Sequence, residues 1–243
     1  KEFRIFDIIM KILLIHSYGV EVTKNKVATS NPQDFPEDVI KLEGLILVAY
    51  VSVEDQDRES LLKLSRIIIR NCSIAIKNIH RKEYSQYHQK VLNIQKIHKD
   101  MLLLVSNNPG VFLKYLKTPE QEYTEAIAFY AVISKEPLPL PSDLNIDPIN
   151  YALGLADVIG ELRRYALDNI RNSIVDDLNY ILECMDDIYT QLFSIDFPAG
   201  LTKDLRHKID QARNIIEKTR GDVSISLQMN DLKSCIEKSE NNR

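Results

Sequence analysis

Four carboxylates, in two stretches of the chain, have the spacing to do chemistry together. In Tyr151-Ala-Leu-Gly-Leu-Ala-Asp157-Val-Ile-Gly-Glu161-Leu-Arg-Arg-Tyr165, Asp157 and Glu161 stand four residues apart. In Pro119-Glu-Gln-Glu122-Tyr-Thr-Glu125-Ala-Ile-Ala-Phe129, Glu122 and Glu125 stand three apart. On a helix each pair shares one face. Both are like-charge pairs in patterns otherwise built for a core. Such neighbours cost roughly 0.2–0.5 kcal/mol per pair, and more where burial removes water. A cation shared by the two helices removes that cost. Four carboxylates without a His/Cys cluster suit a hard, oxygen-seeking ion, Mg²⁺ or Mn²⁺. Such an ion lowers the pKa of a bound water and stabilises charge on a phosphate under attack. A carboxylate left off the metal could take the water's proton, with Glu125 and Glu161 the first candidates. Plainer readings stand beside this one. Acids near a helix start are favoured by the helix dipole alone. Glu161 could also pair with Arg164 on its own helix, leaving Asp157 solvated. The sequence has no P-loop, no GxGxxG, no zinc motif and no nucleophilic Ser or Cys arrangement.

A second group of residues has the charge to hold a phosphate backbone. Lys63, Arg66, Arg70, Lys77 and Arg81 follow steps of three, four, seven and four and form a stripe along one side of a helix, with Ser73 in the gap. Between Lys63 and Lys99 nine Lys/Arg face one acid, Glu83, with His80, His88, His98, Tyr84 and Tyr87 interleaved. A solvated face is the ordinary explanation of a charge run, but surface helices usually alternate signs. This one repels itself, and a phosphate backbone would supply the missing negative charge.

The elements that position these groups are helical. Long intervals lack both Gly and Pro, and apolar residues recur at helical spacing. A helix capped by Asp57 or Ser60 should run to about Lys82, and a second from Tyr84 to Val105. Ser106-Asn-Asn-Pro-Gly110 is a turn, followed by a short helical piece to Leu116. Thr118-Pro119-Glu120-Gln121 has the form of an N-cap, a proline at N1 and a capping-box glutamine. Residues 136–147 are an extended, proline-rich connection. Asp147-Pro148 caps the helix that carries Asp157 and Glu161. Gly154 and Gly160 inside it cost about 1 kcal/mol each relative to alanine, and imply close approach of a backbone or ligand. Further helices are expected over Val175–Phe193 and Leu201–Thr219, the latter ending at Gly221. A short helix, Asp222–Ser239, and a frayed tail complete the chain.

The resulting expectation is an all-α, antiparallel bundle or superhelix of about seven helices. It comprises an N-terminal extension (1–50), a helical domain (51–221) and a C-terminal helix and tail (222–243). In the extension, Phe3–Ile15 suits an amphipathic helix and is too short and charged to span a membrane. Residues 21–40 look like a loop, and Leu45–Val53 fits a strand or the first turns of a helix. The composition is that of a globular protein, 44% hydrophobic and 27% charged over 243 residues. A net charge of −4 excludes a generic polyanion binder, so any nucleic-acid surface must be a local patch. Three scattered cysteines suggest neither a disulfide framework nor a zinc site and fit a reducing, cytoplasmic compartment.

Three motifs in order resemble the translin/Trax family, and its Trax branch more closely. They are Lys63-Leu-Ser-Arg66 followed after thirteen residues by His80-Arg81, then Gln121-Glu122-Tyr123-Thr-Glu125-Ala126, then Asn150-Tyr-Ala-Leu-Gly154-x-Ala-Asp157-x-x-Gly160-Glu161-Leu-x-Arg164. The resemblance covers about residues 55–221. It implies a helical fold in a ring- or barrel-like oligomer, octameric in the family, that takes single-stranded RNA. It also implies that Glu122, Glu125, Asp157 and Glu161 are a metal-dependent endoribonuclease site, since translin lacks the aspartate matching Asp157. Where the family has Phe-His this chain has Phe112-Leu113, with Lys114 next to it as a candidate phosphate contact. Arg164, at the end of the third motif, is another. The reading is therefore an Mg²⁺-dependent endoribonuclease of single-stranded RNA in a closed homo-oligomer. The alternatives are a non-catalytic oligomer binding single-stranded RNA or DNA, and a purely structural helical assembly.

Overall fold

The computed structural model describes the backbone of residues 22–23, 26–27, 37–195 and 199–241, and the side chains of 54–195 and 204–239. Its helices are α1 (Glu37–His80), α2 (Tyr84–Asn107), α3 (Pro109–Phe112), α4 (Lys117–Ser134), α5 (Pro141–Leu144), α6 (Pro148–Arg171), α7 (Leu178–Phe193) and α8 (Ala199–Asn241). A 3₁₀ turn, Leu113–Tyr115, joins α3 to α4. The expected all-helical architecture holds; among the described residues the sole extended pairing is Val22–Thr23 with Lys26–Val27. The expected amphipathic helix over Phe3–Ile15 lies outside the described residues. No described helix is long and apolar enough to cross a membrane.

Four helices lie side by side in the order α1, α4, α6, α8. Their contacts fix their directions. Cys72 of α1 feels the charges of Glu122 and Glu125 on α4, while His80 packs on Phe129 with ring centroids 5.0 Å apart. Glu120 of α4 meets Asn150 of α6, and Phe129 meets Tyr165 further along. Leu153 of α6 meets Lys208 of α8, and Arg163 meets Thr219. In each pair both numbers rise together, so all four helices run the same way. α2 returns antiparallel along α1, joining Asn108 to Glu54 at 2.6 Å, and α7 packs on α6 and α8. The proline-rich segment after α4 makes the parallel α4–α6 pair possible. α4 is 18 residues long, about 27 Å at 1.5 Å per residue, and the segment 135–147, expected to be extended throughout but broken by the single turn α5 (Pro141–Leu144), can reach back over that distance. The Tyr151 hydroxyl pins it by donating to the Pro139 carbonyl at 2.7 Å.

The core runs between these layers and includes Leu61, Ile68, Ile79, Phe129, Leu153, Ile159, Leu162 and Met185. A buried polar knot ties three helices near the start of α4. His98 Nε2 lies 3.0 Å from Glu120 Oε1, and Glu120 Oε2 accepts from Asn150 Nδ2 at 2.8 Å and the Asp147 amide at 3.2 Å. His98, grouped in the sequence with a basic surface, is thus a core histidine.

Several expected boundaries move. α1 begins at Glu37, not at Asp57 or Ser60, so Leu45–Val53 is helical. Thr118 is not an N-cap: the 3₁₀ turn passes directly into α4, and the Glu120 amide is taken by the Leu116 carbonyl at 3.0 Å. Gly221 ends nothing, because α8 continues to Asn241 as one helix where two were expected. An exposed glycine inside a helix costs about 1 kcal/mol, which a long helix packed along its first half can absorb. Asp147 does cap α6, accepting from the amides of Ile149 at 2.9 Å and Asn150 at 3.2 Å.

Candidate active site

Gly154 is what lets the two acidic stretches meet. A Cβ at this position would lie 2.5 Å from the Gln121 carbonyl and 2.6 Å from the Thr124 Cβ, so α6 presses against the backbone of α4 there. Asp157 and Glu161 follow Gly154 by three and seven residues, on the face turned to α4. Glu122 and Glu125 follow Gln121 on the facing helix. Gly160 behaves differently, since nothing lies within 4 Å of a Cβ built there.

All four acids are half-buried and influence one another. Burial, then Asp157, Glu122 and Glu161, push the Glu125 carboxyl up to about 8. Burial and Asp157 also raise Glu122. Glu161 moves the other way. Burial would raise it, but a 2.6 Å hydrogen bond from His80 Nε2 and the Arg164 guanidinium at 3.5 Å hold it below the usual range. The other ring nitrogen of His80 is buried without a hydrogen-bond partner, 3.9 Å from Asp168.

Two groups of this site were missed in the sequence. One is Lys208, whose ammonium donates to Asp157 and lies 3.4 Å from both Gln121 Oε1 and the Leu153 carbonyl. It partly offsets the repulsion on Glu122 and Glu125. A usable signal existed: Leu205, Ile209, Ala212 and Ile216 form the buried stripe of α8, and Lys208 stands within it. The other is His80, read only as part of the basic run and of a motif, which reaches Glu161 of α6. With Lys208 on Asp157 and His80 and Arg164 on Glu161, no three His, Cys, Asp or Glu side chains among the described residues converge tightly enough to hold a metal as they stand. The donor set nevertheless fits a hard divalent cation: all-oxygen, strongly like-charged and lacking thiols.

The basic stripe is placed elsewhere. Lys63, Arg66, Arg70, Lys77 and Arg81 are all exposed, and none forms an ion pair among the described residues. At about 100° per residue, Lys63, Arg66, Arg70 and Lys77 lie roughly 120–180° around α1 from Cys72, the residue that faces Glu122 and Glu125, while Arg81 stands one residue past the end of α1. Within one chain the stripe and the acids therefore occupy opposite sides of α1. Arg164 is brought to the acids directly, and Arg81 adjoins His80. Lys114 is exposed, its ammonium 5.3 Å from the Tyr115 ring centre.

The fold and site define an all-helical protein with a shared acidic cluster between two parallel helices. The chain belongs to the translin family, whose pattern matches residues 43–221. It is 37% identical over 185 residues to an uncharacterised protein of Methanocaldococcus jannaschii, covering 75% of this chain and 82% of that one. It is 26% identical over 185 residues to the translin-associated protein X homolog of Schizosaccharomyces pombe, covering 69% and 80%. Among solved structures it resembles the AfC3PO–duplex RNA complex, with a TM-score of 0.71 and 29% identity over 78% of this chain and 97% of that one. The fold also matches apo-NeC3PO, with a TM-score of 0.67 and 22% identity over 82% and 100%.

The raised Glu125 makes a stability prediction. Its folded pKa of about 8 lies above the unfolded value near 4.5, so between those pH values the folded state binds more protons. Its contribution is full below about pH 4.5 and is lost as pH rises through 8. In EDTA, the melting temperature should therefore fall from pH 5 to pH 8. Glu125→Gln should flatten that slope and melt higher than the parent at pH 8. Parallel pH profiles for the two proteins would show that Glu125 is not under this strain.

Proposed function

We propose that this chain is a metal-dependent endoribonuclease acting on single-stranded RNA. Glu122, Glu125, Asp157 and Glu161 would hold Mg²⁺ or Mn²⁺. The observation that carries the reading is the gathering of four carboxylates from two helices, strained enough to lift Glu125 to about 8. A bound divalent ion would supply an activated water and stabilise charge on the phosphate. The chain's own groups divide the remaining work. His80 and Arg164 keep Glu161 ionised and fixed in orientation. One of the four, Glu125 or Glu161, would stay off the metal and take the water's proton. Lys208 restrains Asp157 and supplies a positive charge beside the cluster. Arg164, more than half exposed next to Glu161, is placed to meet a phosphate oxygen.

The solved relative with duplex RNA supports RNA as the ligand class. The preference for single strands rests on the resemblance to the family alone, so the assay must include both forms. Incubating the protein with labelled single-stranded and duplex RNA, in Mg²⁺ and in EDTA, should give cleavage of the single strand in Mg²⁺ alone. Binding without cleavage in either buffer would favour the second reading, a non-catalytic RNA-binding protein. The Lys208–Asp157 contact favours that reading, because it neutralises one acid without any metal.

Self-association belongs to the same proposal, as a closed homo-oligomer, octameric by likeness to the family. Ile225, Met229, Leu232 and Ile236 run at helical spacing along the distal half of α8 and are about half to two-thirds exposed. An apolar stripe of this kind is usually covered. Met229→Asp with Leu232→Asp should shift sedimentation toward smaller species at micromolar concentration. A parent protein that sediments as a monomer would remove the oligomer from the account. A cytoplasmic location also remains part of the proposal, in keeping with the free thiols of Cys72, Cys184 and Cys235.

A further inference from the structure

On the outer side of α1, away from the four acids, a groove of about 410 Å³ opens between α1 and α2. Its polar lining is Arg66, Arg70 and Asn71 from α1 and Lys90 and Asn93 from α2, and no acid lines it. Arg66, Arg70 and Lys90 have no ion-pair partner among the described residues. Three cations converging on one groove without a counter-charge repel one another. Asn71 adds an independent observation. It is 7% exposed, and its side-chain nitrogen has no hydrogen-bond partner. A buried amide donor with no acceptor is an unfavourable group to retain unless something supplies the acceptor.

We propose that this groove is a phosphate-binding site, in which Arg66, Arg70 and Lys90 supply charge and Asn71 donates to a phosphate oxygen. The ligand it fits is a backbone phosphate of a polynucleotide. Only that ligand identity rests on the RNA reading above; the anion site does not depend on cleavage. Because Arg70 lies about 160° around α1 from Cys72, the site is separate from this chain's own carboxylates. It holds a strand rather than cutting it.

Two variants of the full-length protein test this, both in EDTA so that no RNA is consumed. The probes are inorganic phosphate, with chloride at equal ionic strength as control, and a fluorescent single-stranded oligouridylate. Phosphate, but not chloride, should raise the melting temperature of the parent, and both variants should lose that rise. Lys90→Gln should weaken RNA binding and lower the slope of log affinity against log salt by about 0.7, the value for one single-strand phosphate contact. Asn71→Leu removes no charge. It should weaken RNA binding roughly 10–100-fold at an unchanged salt slope, as expected for loss of one hydrogen bond to a charged group, and should melt higher than the parent without ligand.

Parental RNA affinity in both variants, with the phosphate effect also retained, would overturn the site. A lower ligand-free melting temperature for Asn71→Leu would overturn it too, by revealing a structural partner for the amide. If the variants lose the phosphate effect but keep RNA binding, the groove takes free phosphate and the polynucleotide assignment fails. A smaller assembly for Lys90→Gln in sedimentation would give the groove to another copy of the chain and defeat the proposal. Should the parent bind phosphate but no RNA, the RNA reading fails while the anion site stands.

Discussion

Asp157→Asn should lower Mg²⁺-dependent cleavage of single-stranded RNA by about 10²-fold or more, the scale expected when a metal ligand is lost. RNA affinity should stay close to that of the parent. Asp157 is the acid whose charge most strongly raises both neighbours on α4, Glu122 and Glu125. It is also the acid that Lys208 holds. Removing its charge should relieve Glu125, whose pKa then falls back toward the carboxylate range. A second consequence follows for stability. The ammonium of Lys208 loses its carboxylate but keeps two weaker oxygen neighbours, Gln121 Oε1 and the Leu153 carbonyl. The variant should therefore remain folded, so a loss of cleavage is attributable to chemistry. Cleavage at the parental rate would mean that Asp157 is a structural partner of Lys208 and nothing more.

Gly154→Val should be the most damaging single substitution at the α4–α6 contact. The first added carbon would meet the Gln121 carbonyl at 2.5 Å and the Thr124 Cβ at 2.6 Å. The carbonyl is backbone and cannot rotate away, so the helices must separate. Overpacking of this kind costs about 1–3 kcal/mol and sometimes more, and the branched side chain belongs at the upper end. For a chain of this length, each kcal/mol lowers the melting temperature by about 2–4 °C, giving a drop of roughly 6–12 °C. The separation would also part the acids of the two helices, so Glu125 should titrate closer to an ordinary carboxylate. Gly160→Ala is the internal control. With nothing within 4 Å of the new Cβ, it should be neutral or stabilise by up to about 1 kcal/mol through helix propensity. Equal melting temperatures for Gly154→Val and the parent would mean that the two helices are not in the contact described.

These two glycines also show how far the sequence could be read. Both interrupt the same helical pattern, and helix propensity alone marks them equally. Only Gly154 faces another backbone, a distinction that depends on which helix packs where. The pairing of Glu122 and Glu125 with Asp157 and Glu161 was legible because each pair repeats at helical spacing inside an apolar pattern. The groups that answer their charge were harder to see. His80 lies 81 positions from Glu161 and Lys208 lies 51 positions from Asp157, and no local rule links residues so far apart. The Thr118-Pro119 cap failed because a 3₁₀ turn leads into α4 and supplies the carbonyls that a cap would replace. Gly221 was read as a terminus because glycine suits the C′ position of a helix; α8 passes through it because its next buried position, Val223, is still anchored in the core. Lys63, Arg66, Arg70 and Lys77 share an exposed face of α1, whereas Arg81, expected on the same stripe, lies one residue past the end of the helix. The direction of that face, away from the acids, follows from Cys72, whose burial against α4 fixes how α1 is turned.

The central claim is that the four carboxylates form one metal site, and direct metal binding tests it without reference to activity. Mn²⁺ can be titrated into the protein at pH 8, with free Mn²⁺ followed by its paramagnetic resonance signal. The account predicts a saturable site in each chain of the parent, weakened at least tenfold in Asp157→Asn, with Mg²⁺ competing for it. Failure of the parent to bind Mn²⁺, or equal binding by the parent and Asp157→Asn, would contradict it.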